Sequence, residues 1–233
     1  MTFRRARSEE QREERRQAIL DTTAAMLAEM PVSEISLNEI SRRVGLAKSN
    51  VLRYVESREA ALLDLLHARI AEWLTAVAAA PVVHGSERAR VDAVAGLLAT
   101  SLAERPALCD LLGAQAAVLE RNVSTDLAAR HKRALLALVA DLAAVVRCHV
   151  PELGDEAALH LAGGTLLVAG TAWTACQPSP AMLAAYEQEP DLAALRLDFP
   201  STLAEFVALL LAGSLARGGV NDKDAGSGPD AGT

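Results

Sequence analysis

The stretch from Ser36 to Leu65, SLNEISRRVGLAKSNVLRYVESREAALLDL, admits very few folds. Ser36 with Glu39 three residues on is a capping box, so a helix is predicted from Leu37 to Val44 with Leu37, Ile40 and Val44 on its inward face. Gly45 stops it, because glycine takes the left-handed conformation a tight helix-to-helix corner needs, and Leu46 is placed to plug the angle. A second short helix is predicted over Lys48–Tyr54, with Val51, Leu52 and Val55 turned inward and Lys48, Ser49, Asn50, Arg53 and Tyr54 turned outward. Ser57 then caps a longer helix whose stripe Leu62, Leu66, Ile70, Trp73 and Val77 carries it to about Ala79.

The outward set has the chemistry of a groove-reading helix. A cation and two small hydrogen-bonding side chains lead, able to reach base edges, and an Arg and a Tyr follow, able to hold phosphates. From Arg42 to Arg58 the bases are Arg42, Arg43, Lys48, Arg53 and Arg58, against the single acid Glu56. The chain as a whole carries a formal charge of -7, so this strip is a local feature, and phosphate attraction acts locally, over about 8 Å at physiological salt. Through Asp64 there are eleven bases and eleven acids; the remaining twelve bases face nineteen acids. A neutral first part with a basic strip, joined to an acidic second part, divides the labour between nucleic acid and something else.

The rest of the chain reads as helices. Apolar positions Ile19, Thr23, Met26, Leu27 and Met30 predict a first helix from Glu14 that Pro31 ends, and residues 1–14, with Arg4, Arg5 and Arg7, read as a flexible basic arm able to reach DNA. Further helices are expected from Ser86 to before Pro106, from Ala107 to about Leu119, from Ser124 to Val150, from Asp155 to about Cys176, and from Thr202, with Glu205 as its capping partner, to Gly218 and Gly219. Residues 177–200 are rich in proline and without clear period; 218–233 read as a disordered tail. No strand alternation occurs, and alanine and leucine dominate over aromatics at 3%, so the fold class is all-α.

Several chemistries are disfavoured. Cys109, Cys148 and Cys176 form neither a CxxC nor a Cys/His metal pattern and read as buried free thiols in a reducing cytosol; no metal or cofactor is expected. Cys148 and His149 are the nearest thing to a catalytic pair, but neighbours on a helix point about 100° apart, and no phosphate loop or dinucleotide fingerprint is present. The first sixteen residues lack the apolar core of a signal peptide, and the uncharged run Leu161–Cys176 is shorter than the ~20 residues a spanning helix needs.

From Ala18 to Leu66 the order of a first helix, a capped second helix, Gly-Leu-Ala, Lys-Ser-Asn-Val-Leu-Arg-Tyr and Ser-Arg-Glu-Ala-Ala-Leu-Leu resembles the N-terminal signature of TetR-type transcriptional regulators. The resemblance implies a three-helix DNA-binding domain over 15–56 and a larger helical ligand-binding and dimerisation domain over 57–217. It places Lys48, Ser49 and Asn50 where the family meets bases, Arg53 and Tyr54 where it grips phosphate, and Ser36 and Arg58 at common phosphate positions. Ala47 stands where a Ser or Thr cap is usual, Leu52 where Tyr is usual and Val55 where Phe is usual, which removes one backbone contact that Tyr54 only partly replaces.

The family's mode of action is implied too: a homodimer reading a palindromic operator, most often as a repressor, released when a small molecule binds the large domain. The dimer surface is expected on the last two long helices, at Gly163, Gly164, Leu167, Gly170, Thr171, Thr174, Phe206 and Leu210, where small side chains allow close approach and apolar ones exceed what one inner face needs. Candidate pocket residues are Trp73, Arg105, Gln115, His131, Trp173 and Tyr186, although a lone His or Trp at helical spacing is commonly core. So few aromatics favour a pocket of Leu, Val and Ala and an apolar ligand. The competing class is a helical dimeric adaptor without DNA binding, which has no reason to keep the Arg42–Arg58 strip free of acids; an all-helical enzyme ranks below it.

Overall fold

The computed structural model describes residues 2–225, with side chains described within 9–217. Among the described residues ten α-helices follow one another: α1 Thr2–Leu27, α2 Leu37–Val44, α3 Lys48–Val51, α4 Arg58–Ala78, α5 Glu87–Ala103, α6 Pro106–Ala114, α7 Thr125–His149, α8 Asp155–Ala175, α9 Pro180–Gln188 and α10 Phe199–Ala225. Among the described residues there is no strand.

Local chemistry sets most boundaries. The hydroxyls of Ser36, Ser57, Ser86, Ser124 and Ser179 each accept from the backbone N–H three residues on, capping α2, α4, α5, α7 and α9, a contact that stabilises a helix by ~1 kcal/mol. Pro106 opens α6 and Pro180 opens α9, where a missing N–H costs nothing.

Five expectations are corrected. Residues 2–14, expected as a flexible arm, belong to α1; their Arg, Glu and Gln are good helix formers, and Arg16 binds Glu13 at 3.1 Å. The proline-rich stretch contains α9, whose Ser-Pro start is a cap followed by a first-turn proline. The helix expected through Leu119 ends as α-helix at Ala114 and continues as a π-helical turn, Gln115–Leu119. Asp198, not Thr202, starts α10, its carboxylate accepting from Ser201 N at 3.1 Å and Ser201 Oγ at 2.6 Å. That helix runs past Gly218 and Gly219 to Ala225, since two glycines cost only ~1 kcal/mol each; residues 226–233 lie outside the described ones.

The helices pack as two units sharing α4. In the small one Ile19, Thr23 and Met26 of α1, Ile40 of α2 and Val51 of α3 are fully buried with Val32 and Ile35 of the α1–α2 connection. In the large one α10 lies along α5, α8 is covered by α6, α7 and α10, and α4 packs on α7. Trp73 is fully enclosed, its indole N–H donating to Ser101 Oγ at 2.8 Å.

Candidate nucleic-acid interface and ligand clefts

The corner between α2 and α3 is built by a left-handed Gly45, φ 72°, with Leu46 N donating back to Ser41 O at 3.1 Å. Beyond α3 the chain stays in helical turns, with Tyr54 N bonded to Val51 O at 2.9 Å and Val55 N to the same carbonyl at 3.1 Å. Burial of Val51 and Val55, worth ~1.5–3 kcal/mol each, fixes the rotation of this helix. Lys48, Ser49, Asn50 and Arg53 are exposed as a result, and among the described residues none of these four side chains has a partner within the chain. Tyr54 is half-buried against the core. Leu52, expected inward, is 43% exposed, because Val51 and Val55 leave it on the opposite side of the turn.

Two expected contacts are differently placed. Ser36 is exposed, its oxygen taken by Glu39 N at 3.1 Å, which leaves the hydroxyl proton to donate. Arg58 is turned into the protein: its guanidinium donates to Val32 O at 2.6 Å and to Ile35 O, and pairs with Glu59 at 3.0 Å. It ties the α1–α2 connection to the start of α4 and does not face outward with α3. The basic strip is also thinner than its sequence suggests. Glu39 binds Arg42 at 2.6 Å and Arg43 at 2.9 Å, and these hydrogen bonds, Arg42 first and then Arg43, hold its carboxyl at about 2.

Sequence reasoning missed Arg12 of α1. Its guanidinium donates to Arg53 O at 3.3 Å, and with Gln11 and Arg15 it lines a groove beside Arg53 and Tyr54. No local signal marks it, since the contact spans 41 positions.

The small unit is fastened to the large one at several points. Glu56 accepts from Arg130 at 2.9 Å and from Ser124 Oγ, both at the start of α7. Val32 N donates to Asp110 of α6 at 2.6 Å, and Arg16 of α1 pairs with Asp64 of α4 at 2.5 Å.

The expected pocket residues do not converge. Trp73 is core. Arg105 and Trp173 line a cleft of about 670 Å³ between the end of α1 and the start of α6, where Arg105 donates to Ser101 O at 2.5 Å and Trp173 meets Phe199 edge-on at 5.1 Å. His131 lines a cleft of about 570 Å³ between the end of α3 and α7. Gln115 lines a third, of about 440 Å³, bounded by the π turn, α6, α7 and α8. Tyr186 is half-buried on α9 and lines none of the three.

The third cleft combines an apolar wall, Leu112, Leu135, Val139, Leu166 and Leu167, with one polar end, Gln115, Glu120 and Lys132. Lys132 Nζ reaches both carboxylate oxygens of Glu120 at 2.8 Å, Gln115 donates at 2.8 Å, and His131 Nε2 lies 3.0 Å away. Burial pulls the Glu120 carboxyl up, but the hydrogen bonds from Lys132, Gln115 and His131 outweigh it and bring it to about 2. His131, 1% exposed, continues the chain: its Nδ1 is 2.8 Å from Nε2 of His67 on α4, the rings stacked at 5.0 Å.

The family model for the tetracycline-repressor-like C-terminal domain matches residues 67–218, well over half of the chain. The chain belongs to the TetR family. Its fold is shared with the fatty acid degradation regulator FadR from Bacillus halodurans, at 15% identity over 85% of this chain and 95% of that one, with a TM-score of 0.51. FadR from Bacillus subtilis in complex with stearoyl-CoA aligns at 14% identity, 84% and 96% coverage and a TM-score of 0.48. A Streptomyces coelicolor A3(2) protein described as a transcriptional regulator aligns at 20%, 87% and 97%, with a TM-score of 0.44. At these identities the likeness is one of fold alone. No curated protein matches the chain in sequence.

On this TetR-family chain the residues expected at a two-fold surface fall into two sets. Leu167 is 71% exposed, Phe206 49% and Leu210 38%, and Leu209 beside them 61%; Thr171 and Thr174 are exposed as well. Gly170 belongs instead to the interior, where a Cβ would stand 2.7 Å from the Leu112 carbonyl, and Gly164 faces Leu210 within the chain. Gly163 is half-buried on the rim of the third cleft. The burial expected of the three thiols holds for Cys109 alone: Cys176 is half-buried and Cys148 is exposed, and with His149 buried the Cys148–His149 pair is split between two faces of α7. Among the described residues no group of three or more His, Cys, Asp or Glu could hold a metal ion.

Proposed function

We propose that this TetR-family chain is a DNA-binding repressor that reads a palindromic operator as a homodimer and lets go when a small apolar molecule enters the large domain. One observation carries the DNA reading: Lys48, Ser49, Asn50 and Arg53 are exposed together on a helical segment whose rotation is fixed by buried Val51 and Val55, and among the described residues no side chain occupies them. Lys48, Ser49 and Asn50 are assigned to base edges; Arg53, Tyr54 and the Ser36 hydroxyl are assigned to phosphate. Arg58 is removed from that set, being held by Val32 and Ile35.

The dimer surface is assigned to Leu167 of α8 and Phe206, Leu209 and Leu210 of α10, whose exposure as a group is more than isolated surface residues account for. The segment Phe199–Arg217 is long and apolar enough to cross a bilayer. Its Leu203, Val207 and Leu211 are nevertheless fully buried and α10 lies along α5, so the outer stripe is assigned to a second copy of the chain. The effector is assigned to the cleft among the π turn, α7 and α8, whose wall is leucine and valine. The other two clefts carry the charged groups Arg69, Glu72, Glu104 and Arg105, or Arg12, Arg16, Arg53 and Arg130.

The deciding experiment selects duplexes from a random pool and measures affinity by anisotropy. Replacing Lys48 or Asn50 with Ala relaxes sequence preference by about 1–3 kcal/mol, whereas Arg53→Ala weakens all duplexes alike and lowers the salt slope by about one. A chain that selects no duplex is the dimeric adaptor instead.

A further inference from the structure

We propose that the groove lined by Arg12, Arg15 and Arg53 seats the DNA sugar-phosphate backbone, so that α1 grips the duplex beside the recognition segment and extends the contact past it. This rests on the reading of Lys48, Ser49 and Asn50 as the base-reading set.

The three cations come from two elements that the fold brings together across 41 positions of chain. Arg12 and Arg15 are three apart on α1, so they are neighbours on one face of that helix, and both are exposed. With Gln11 and Glu14 they form one wall of the groove; Arg53 and Tyr54 form the other. The first half of α1 is anchored in this position. Ile19 and Leu20 are buried in the small unit, Arg16 pairs with Asp64 of α4 at 2.5 Å, and the Arg12 guanidinium donates to Arg53 O at 3.3 Å. Arg12 therefore stands about 10 Å along the helix from the core residue Ile19, tied at its tip to the end of the recognition segment.

Charge decides the sign of what the groove takes. Three guanidinium groups face one carboxylate, Glu14, and among the described residues none of the three is paired with an acid. Nearby Glu13 and Asp64 are both taken by Arg16. Arg12 spends one of its five N–H donors on the Arg53 carbonyl, which fixes the fork and leaves the other donors for phosphate oxygens.

Shape decides that the anion is a polymer. Apart from the Tyr54 ring the lining is polar, so no apolar wall shelters the body of a small molecule. A free phosphate would meet solvent-exposed charges screened within about 8 Å. A strand already held at Arg53 carries its neighbouring phosphates past Arg12 and Arg15 as an intramolecular step, at high effective concentration. The groove is continuous through Arg53 with the exposed Lys48, Ser49 and Asn50, so one duplex can occupy both.

The test uses the full chain and duplexes that extend beyond the selected half-sites, with affinity measured by anisotropy from about 50 to 200 mM salt. Arg12→Gln keeps a donor for the Arg53 carbonyl and loses the charge. It and Arg15→Gln each lower the salt slope by about one for every protomer bound and weaken selected and random duplexes alike, by about 10-fold, with the helical signal of the wild type. Arg12→Lys restores the slope. Glu14→Gln removes the acid beside the strand and tightens all duplexes by about 2-fold, a gain that bracing of the fold does not produce. Wild-type slopes in both arginine variants overturn the proposal. So does an Arg12→Gln protein that keeps its slope but loses sequence preference, since Arg12 then only braces the recognition segment. Calorimetry with inorganic phosphate gives no saturable heat; saturable binding that disappears in Arg12→Gln while the DNA slope stays unchanged makes the groove a small-anion site and also overturns it. A protein that selects no duplex fails the regulator reading instead, and the slopes on random duplex still decide the groove.

Discussion

Glu56, the residue that closes the recognition unit, accepts a hydrogen bond from Arg130 at 2.9 Å across 74 positions of chain, with Ser124 bonded to the same carboxylate. The contact pins the end of the α3 turn to the start of α7. The Ser124 hydroxyl and then the Arg130 guanidinium hold the Glu56 carboxyl below its ordinary value. A depressed carboxyl stabilises the fold above its unfolded pKa, about 4.3, and that contribution is lost as pH falls through the lower folded value. Arg130→Gln and Glu56→Gln should therefore both speed amide exchange at Arg53–Glu56 near neutral pH and leave α5 and α10 unchanged. Lowering the pH through the depressed folded value of Glu56 should erase the difference between variant and wild type. Exchange that is identical in all three proteins removes the pinning role.

Arg58 separates a structural from a DNA-facing reading. As observed, it donates to Val32 O and Ile35 O with its side chain only 17% exposed. Hydrogen bonds from a charged donor of this kind are worth about 1.5–3 kcal/mol. Arg58→Met should lower stability in urea by about that amount, while the salt slope of DNA binding at a temperature where the variant is folded stays that of the wild type. A slope reduced by about one with stability intact would return Arg58 to the phosphate set.

Much of the small unit was legible in the sequence because its determinants are local. Ser36 finds its cap partner three residues away, Gly45 turns its own corner, and Val51 and Val55 fix the face of α3, although Leu52 between them, expected inward, is exposed. What failed were contacts made at a distance. Arg58 looks like any first-turn arginine until the carbonyls of Val32 and Ile35 are in place, and Arg12 meets Arg53 O only because α1 extends that far. His131 could be recognised as a polar residue on an apolar face, but its partners His67 and Glu120 come from α4 and the end of the π turn, with no sequence pattern joining them. The small-residue stripe of α8 was ambiguous in principle: a glycine serves close approach within the chain or between chains equally well, and Gly170 serves the first.

Gly170 offers a measurement of that packing. A Cβ there would lie 2.7 Å from the Leu112 carbonyl carbon and oxygen and 2.9 Å from Gly113 N, all backbone atoms that cannot rotate away. Gly170→Ala should force α6 and α8 apart and destabilise by about 1–3 kcal/mol, the usual cost of overpacking. Gly96, within α5, has nothing within 4 Å of its would-be Cβ, so Gly96→Ala should stabilise by up to about 1 kcal/mol through helix propensity. Chemical denaturation of both variants checks the sign of each. Equal and positive effects would place α8 farther from α6 than this contact requires.

Association of two copies gives the last test. Leu209 and Phe206 are 61% and 49% exposed on α10, while Leu203, Val207 and Leu211 of the same helix are buried against the chain's own core. A charge at an outer position therefore leaves the monomer's packing untouched and burdens only what covers that stripe. Wild-type unfolding should shift to higher temperature as concentration rises, because a dimer gains stability by mass action. Leu209→Glu should abolish that dependence and halve the mass seen by sedimentation, while preserving the helical signal. Because two recognition helices must be held at a fixed spacing for a palindrome to be read, the same variant should lose most of its preference for the selected duplex yet keep weak, salt-sensitive binding to any DNA. A Leu209→Glu protein that still sediments as the wild type would move the interface elsewhere.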